Sequence, residues 1–594
     1  MKELLMGNEA IAVGAMMAGV QVVTGYPGTP STEVLETIAK RNDGSIYVEW
    51  SVNEKAGMEV AAGAAYAGAR SLVTMKQVGL NVASDPLMSL NMIGVKGGMV
   101  VYVADDPGPI SSQTEQDTRH YAKFAKIPIF DATSPEEAYQ MIQDAFDYSE
   151  KYHTPVFFRA TTRVCHACAS IEVGEFPKIT KAEGFVKDSR WVIFPRLSYL
   201  NKKKVEAREI TLAEEFSDYP GNELIGSGKI GIACGGIAYA YVMDAIESNK
   251  EMFTVAKFVT PFPFPTIFAD RFLQQVDRVI VFEELDPVIE DALIYHQGVT
   301  HTTHEIIGKR TGTVLNAGEL SANYIAGVLN EIFGAELVVG NQTFEDAPKV
   351  PTRPPVLCAG CPHRASFYAV KQAMKGKEAV FCGDIGCYTL GNAAPLDMVD
   401  TCLCMGAGIT IAQGLEHSKS AGTKFSFVGD STFFASGMTG VVNAVYNKAD
   451  MILVVLDNST TAMTGHQPHP GIGKTMMGEV SAAVSIEKVL VAIGAEVKIV
   501  NPLDLEAAIA TVKEMDEKSG VRAIIFRSPC VAIVKPDQAR HIDTNTCIGC
   551  MKCIRELGCP ALSKKDGKAV IDPALCTGCG LCSKVCPTGC IVKD

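Results

Sequence analysis

Nine of the nineteen cysteines fall in the last fifty residues, in "TCIGCMKCIRELGCP" (Thr546 to Pro560) and "LCTGCGLCSKVCPTGC" (Leu575 to Cys590). Cys576, Cys579, Cys582 and Cys586 have C-x2-C-x2-C-x3-C-P spacing. Three thiolates in one tight turn reach three corners of one iron–sulfur cluster, and the fourth, followed by proline, crosses to a second cluster. The earlier comb, Cys547, Cys550, Cys553 and Cys559, has five residues before its last cysteine instead of three. Because that residue serves the other cluster, a longer turn lengthens the gap without breaking a ligand set. The spacing predicts one 4Fe–4S cluster on Cys547, Cys550, Cys553 and Cys586, and another on Cys576, Cys579, Cys582 and Cys559. Zinc also takes four thiolates, but eight cysteines with two Cys-Pro endings favour iron and electron transfer. Cys590 is left over.

A second pattern runs from Gly429 to Gly465, "GDSTFFASGMTGVVNAVYNKADMILVVLDNSTTAMTG". An apolar strand ends in Gly-Asp, and the next apolar strand ends in Asp-Asn. Two neighbouring parallel strands would set an aspartate beside an amide at the sheet's carboxyl edge. Hard oxygen ligands there suit Mg²⁺, which binds a diphosphate through its own oxygens. Asp430 and Asn458 are the expected side-chain ligands, with the Thr460 carbonyl as a third. Gly429, Asp430, Ser431 and Asn458 would line the diphosphate site. The stretch resembles the thiamine diphosphate motif, with Ser431 in place of its second glycine and Asp457 in place of its first asparagine. Two ordinary strand-end turns would give a similar pattern.

Thiamine chemistry needs a carboxylate beside N1′ of the aminopyrimidine. "YVEWSVNEKAGMEVAAGAAYAGAR" offers Glu49, Glu54 and Glu59. Glu54 fits best, because the small-residue run that follows it lets backbones approach closely. The alternative is a solvated glutamate at a helix start.

These residues need strands and helices to place them. Up to about residue 178, helical patterns alternate with nearly continuous apolar strands, the mark of a parallel sheet covered on both faces. Its functional loops belong at the carboxyl ends of the strands. The N-terminal "MKELLMGNEAIAVGAMMAGV" reads as a Gly/Ala-rich helix packed closely on a sheet. A polar linker is expected over 179–228, a second α/β domain over 229–340, a Pro-rich join, a third α/β domain over 352–538 and a cysteine domain over 541–594. The net charge is −13, from 54 basic and 67 acidic residues, which argues against a nucleic-acid partner. Apolar runs are strand-sized, so no membrane span is expected, and clustered cysteines point to a reducing, cytoplasmic setting.

"GYPGTPSTE" (Gly25 to Glu33), the glutamate segment, the Gly-Asp loop and the cysteine tail, in that order, resemble the 2-oxoacid:ferredoxin oxidoreductases. The resemblance implies a pyrimidine-binding domain, a transketolase C-terminal-like domain, a diphosphate-binding domain and a ferredoxin-like domain. It implies thiamine diphosphate, Mg²⁺ and two 4Fe–4S clusters, with Glu54 as the N1′ carboxylate. Tyr26 to Ser31 would be a loop near substrate, with Thr29 the contacting residue. Cys358, Cys361, Cys387 and Cys530 would hold a third cluster or be buried apolar residues, and His363 would face substrate or be structural. The implied reaction is oxidative decarboxylation of an aryl 2-oxoacid to acyl-coenzyme A through a thiamine-bound enamine, with electrons leaving singly to ferredoxin. Another 2-oxoacid, or a scaffold with a vestigial thiamine site, is the rival reading. No γ-type domain is found, so a β subunit should supply it, in an (αβ)2 assembly.

Overall fold

The computed structural model describes residues 1–338, 350, 351 and 353–593. The Pro-rich join read at 341–355 lies largely outside the described residues, as do the domain limits placed at 340 and 352. The chain forms two compact units, Met1–Asp346 and Ala347–Asp594.

The first unit contains a six-stranded, wholly parallel sheet. Its order is Tyr47–Trp50, Val22–Gly25, Ser71–Lys76, Met99–Asp105, Val156–Thr161 and Ile129–Asp131. All seven residues of Met99–Asp105 are buried, as a strand covered by helices on both faces requires. The N-terminal small-residue run is the helix Gly7–Met17, packed against the helix Pro135–Tyr152. A side chain at Gly14 would run into Ile142 and the Tyr139 carbonyl, so only glycine permits this approach.

A second sheet in the same unit has the order Glu305–Ile307, Arg278–Phe282, Ile230–Cys234, Phe253–Lys257 and Glu223–Gly226, parallel except for the last strand. The stretch expected as a linker, 179–228, contains the 23-residue helix Pro195–Ser217 and this antiparallel edge strand. Buried charges join the two sheets. Arg119 pairs with Asp117 and, at 2.7 Å, with Glu283, while Arg159 pairs with Asp105 and Asp131 at 2.7 and 2.8 Å.

The second unit has a five-stranded parallel sheet in the order Ala379–Cys382, Thr423–Gly429, Met451–Asp457, Val521–Arg527 and Glu496–Val500. Its cysteine-rich tail closes on itself, with His541–Ile542 pairing with Ile591–Val592 and the hairpin Leu562–Lys565/Lys568–Ile571 between them. Leu557, Leu581 and Val585 of the tail share a hydrophobic core with Ala365, Phe367 and Tyr368 of the helix Pro362–Ala373.

Arg364 fixes that docking. Its buried guanidinium donates to the carbonyls of Leu557 (2.6 Å) and Gly558 (3.0 Å) in the tail, and to Leu357 (2.6 Å) and Cys358 (3.3 Å) in the sheet domain. Arg364→Met would leave these carbonyls without their donor, at roughly 1–3 kcal/mol for each one that stays buried. The expected result is faster proteolytic release of the tail. Arg364→Lys should rescue only part, because an ammonium lacks the planar fork. An unchanged cleavage rate in the Met variant would refute the role.

Candidate active site

Of the three candidate glutamates, burial singles out one. Glu49 is engaged by Tyr47 (2.6 Å) and Ser51 (2.7 Å), and exposed Glu59 pairs with Lys55 at 2.8 Å. Glu54 is only 8 % exposed. It opens the helix Glu54–Tyr66, whose N-cap Asn53 accepts the Ala56 N–H at 2.9 Å. Its carboxyl packs against Gly79, where a side chain would overlap it. Burial pushes Glu54 up to about 7, offset in part by its own backbone N–H and the charge of Lys76. A carboxyl that holds its proton near neutral pH fits a hydrogen bond to a ring nitrogen.

Thr29 lies in the loop after strand Val22–Gly25, half-buried, with its carbonyl accepting from Ser111 Oγ at 3.2 Å. Tyr26 and Ser31 of the same loop are buried.

In the second unit, Gly429 ends its strand and Asp430 follows. The neighbouring strand runs parallel, with Gly429 opposite Leu456, so Asp430 and Asn458 emerge at the same edge. Asp430 Oδ1 accepts from the Ser431 N–H (2.9 Å), and Oδ2 from those of Asn458 (3.1 Å) and Ser459 (2.7 Å). Asn458 Oδ1 accepts a longer bond from the Thr460 N–H at 3.3 Å. A carboxylate has about four acceptor sites, so Asp430 keeps capacity for a cation. With the Asn458 amide oxygen and the Thr460 carbonyl, the donor set consists of hard oxygens and fits Mg²⁺. Asp457 is turned away, held by Arg527 Nε at 2.7 Å.

Four more groups face this edge. His469 accepts the Gly471 N–H on Nδ1 (3.1 Å), which places the proton of the neutral ring on Nε2, 3.2 Å from Asp430 Oδ2. Among the described residues Nε2 has no hydrogen-bond partner. His363, 4 % exposed, has neither ring nitrogen hydrogen-bonded, and burial pushes it down to about 4. Its ring meets Tyr388 edge-on at 5.8 Å. Tyr388 donates to buried Asp384, which burial raises to about 7. Sequence reading passed over Asp384, although Gly383-Asp384 follows strand Ala379–Cys382 much as Gly429-Asp430 follows its neighbour.

The nine tail cysteines line two cavities. One is lined by Cys547, Cys550, Cys553, Cys586 and Cys590. The other is lined by Cys559, Cys576, Cys579 and Cys582, and also by Cys361 and Arg364. Each comb thus sends its fourth cysteine to the other comb's cavity. Of the four further candidate cysteines, Cys361 donates its N–H to the Cys358 carbonyl at 3.2 Å, Cys530 donates its N–H to the Asn458 carbonyl at 2.9 Å, and Cys387 opens the turn Cys387–Asn392. Burial, then the surrounding groups, sets Cys361 at about 12 and Cys387 at about 11.

Comparison with known proteins decides the family. Residues 13–189 match a model described as pyruvate flavodoxin/ferredoxin oxidoreductase, thiamine diphosphate-binding. Residues 384–525 match the thiamine pyrophosphate enzyme C-terminal binding domain, and 569–592 a 4Fe–4S binding domain. Indolepyruvate oxidoreductase subunit IorA from Methanothermobacter thermautotrophicus is 40 % identical over 99 % of this chain and 97 % of its own length. Its counterpart from Archaeoglobus fulgidus is 38 % identical over 99 % and 97 %, and that from Pyrococcus horikoshii 37 % over 100 % and 97 %. The chain belongs to the IorA family. It is an oxidoreductase subunit of the 2-oxoacid:ferredoxin type, with thiamine-binding domains and an iron–sulfur tail. Among the described residues, no helix is long and apolar enough to cross a membrane.

The raised Glu54 pKa carries a stability consequence. Between the unfolded value near 4.5 and about 7, the folded protein binds the proton that the unfolded chain has released, so stability falls as pH rises through that window. The full loss is about 3 kcal/mol at most. Cofactor-free Glu54→Gln should therefore melt above the parent at pH 8, with the gap closing toward pH 5. A gap independent of pH would show that Glu54 does not titrate there.

Proposed function

We propose that this chain is the catalytic subunit of a ferredoxin-dependent, coenzyme A-acylating enzyme that oxidatively decarboxylates aryl 2-oxoacids, indolepyruvate among them. The substrate class follows the names of the relatives. The balance is one 2-oxoacid anion and one coenzyme A thiol converted to acyl-coenzyme A, CO₂ and one proton, with two electrons passed singly to two ferredoxins. The single observation that carries the electron route is the sharing of Cys361. It lines the cavity of Cys559, Cys576, Cys579 and Cys582, and its N–H donates to the Cys358 carbonyl at 3.2 Å, while Cys530 donates its N–H to the carbonyl of Asn458 at the Asp430 edge at 2.9 Å.

Bound thiamine diphosphate supplies a nucleophilic carbon that also stores the electrons left when CO₂ departs. Glu54 would hold or release a proton at the aminopyrimidine N1′. Asp430, Asn458 and the Thr460 carbonyl would hold Mg²⁺, with Gly429 and Ser431 beside the diphosphate. The tail cavities would take two 4Fe–4S clusters, on Cys547, Cys550, Cys553 and Cys586 and on Cys576, Cys579, Cys582 and Cys559. Cys358, Cys361, Cys387 and Cys530 would take a third. Thr29 would contact substrate. A β subunit with a γ-type domain would complete a cytoplasmic (αβ)2 assembly, and the four-domain division with limits at 178, 228, 340, 352 and 538 is retained on this reading.

Anaerobic metal analysis of the assembled enzyme tests the clusters. About twelve irons per chain are expected, and a Cys358→Ala/Cys530→Ala variant should fall to about eight. About eight in the parent would remove the inner cluster, and zinc in place of iron would overturn the redox reading. Glu54→Gln should keep bound thiamine diphosphate yet lose CO₂ release by two orders of magnitude or more, a loss of the size general acid–base groups supply, ~10²–10⁴-fold. Unchanged turnover would refute its role.

A further inference from the structure

Lys76 ends the strand Ser71–Lys76 and caps the 17-residue helix Gln77–Ile93. Its aliphatic stem lies along Gly28 in the substrate-side loop, where a Cβ would come within 2.8 Å of the Lys76 Cδ. Nζ donates to the Ser111 carbonyl at 3.1 Å, and Ser111 Oγ in turn donates to the Thr29 carbonyl at 3.2 Å. Lys76, Ser111 and Thr29 thus form one connected rim in the unit that carries Glu54.

The ammonium on this rim has no carboxylate in direct contact. Among the described residues Lys76 makes no ion pair within 4 Å, and it is half-buried. The carboxylates whose charge it feels are Asp106 and Glu54. Asp106 is already occupied, accepting from the Ser111 N–H (2.8 Å) and from Thr162 Oγ1 (2.7 Å). Glu54 is the carboxyl that burial has made reluctant to ionise. Burial likewise pushes Lys76 down, and the two carboxyls restore only part of the loss. A partly desolvated ammonium without a partner is costly, and the start of a long helix adds positive potential at the same place. An arriving carboxylate would relieve both.

We propose that Lys76 binds the carboxylate of the 2-oxoacid substrate. The assignment rests on the reading of the chain as a 2-oxoacid oxidoreductase. The loop from Gly28 to Thr29 and Ser111 frames the same anion, and Lys76 supplies its charge.

The test uses the assembled enzyme and two unreactive probes, indole-3-lactate and its primary amide, with binding followed by titration calorimetry. Lys76→Met should weaken the acid roughly 10- to 100-fold, the value of a hydrogen bond to a charged group, and leave the amide unchanged. In turnover, KM for the 2-oxoacid should rise by a similar factor, while kcat changes by less than about threefold. Lys76→Arg should recover part of the acid's affinity. Equal weakening of acid and amide would show that Lys76 only props the Ser111 loop, and no weakening of either would likewise overturn the proposal. If the parent ignores both indole probes but binds lactate in a Lys76-dependent way, the aryl reading falls and the Lys76 assignment stands.

Discussion

One guanidinium constrains the second unit more than any other group. Arg364 lies three residues after Cys361 and holds Leu357 and Cys358 on one side, Leu557 and Gly558 on the other. The first pair carries the inner cysteine group, and the second directly precedes Cys559, the residue that crosses between the tail cavities. All four acceptors are backbone carbonyls, so the positions of both cysteine sets are set by main-chain geometry and not by flexible side chains. The guanidinium also lines the cavity that Cys361 shares with the tail. A positive charge there favours ionisation of the Cys361 and Cys579 thiols, so the clamp also shapes the electrostatics of the cavity.

A second regularity links the two units. Chemistry-bearing groups sit where a parallel strand gives way to a helix. Asp430 follows strand Thr423–Gly429, Lys76 ends one strand and caps the next helix, and Glu54 and His363 stand in the first turns of theirs. Within each sheet, strands pointing the same way bring that sheet's junctions to one edge, and helix starts add unsatisfied N–H groups there. Small residues then determine how closely the parts approach. Gly79 admits the Glu54 carboxyl, and Gly28 admits the Lys76 stem.

The cysteine combs were legible because their chemistry is written in local spacing, and the crossing of the fourth cysteines reappears in the cavity linings. The strand-end Asp430 and Asn458 were legible for a similar reason, since an apolar run followed by Gly-Asp or Asp-Asn marks an edge. Glu54 was preferred over Glu49 and Glu59 for the small-residue run that follows it, while its burial against Gly79, a residue on another helix, left no mark in the local pattern. Lys76, Asp384 and His469 went unread. Lys76 and His469 gain their meaning from partners far along the chain, Ser111 and Asp430, and no periodicity encodes such a meeting, whereas Asp384 carries a strand-end Gly-Asp like that of Asp430. The edge strand Glu223–Gly226 escaped because four residues at a sheet margin carry little pattern of their own.

The carboxyls of the candidate site divide by the donors around them. Asp430 receives three backbone N–H groups, from Ser431, Asn458 and Ser459. Glu54 receives none from beyond its own residue and is raised to about 7 by burial. Asp384 lies between these extremes: it accepts from Tyr388 and from the Gly406 N–H at 2.8 Å, yet burial still raises it to about 7. The same functional group thereby meets two environments. A strand end presents successive N–H groups to Asp430, whereas a helix start packed against glycine leaves the Glu54 carboxyl buried with little donation. Exchanging the residues would not exchange the roles, because the backbone supplies the difference.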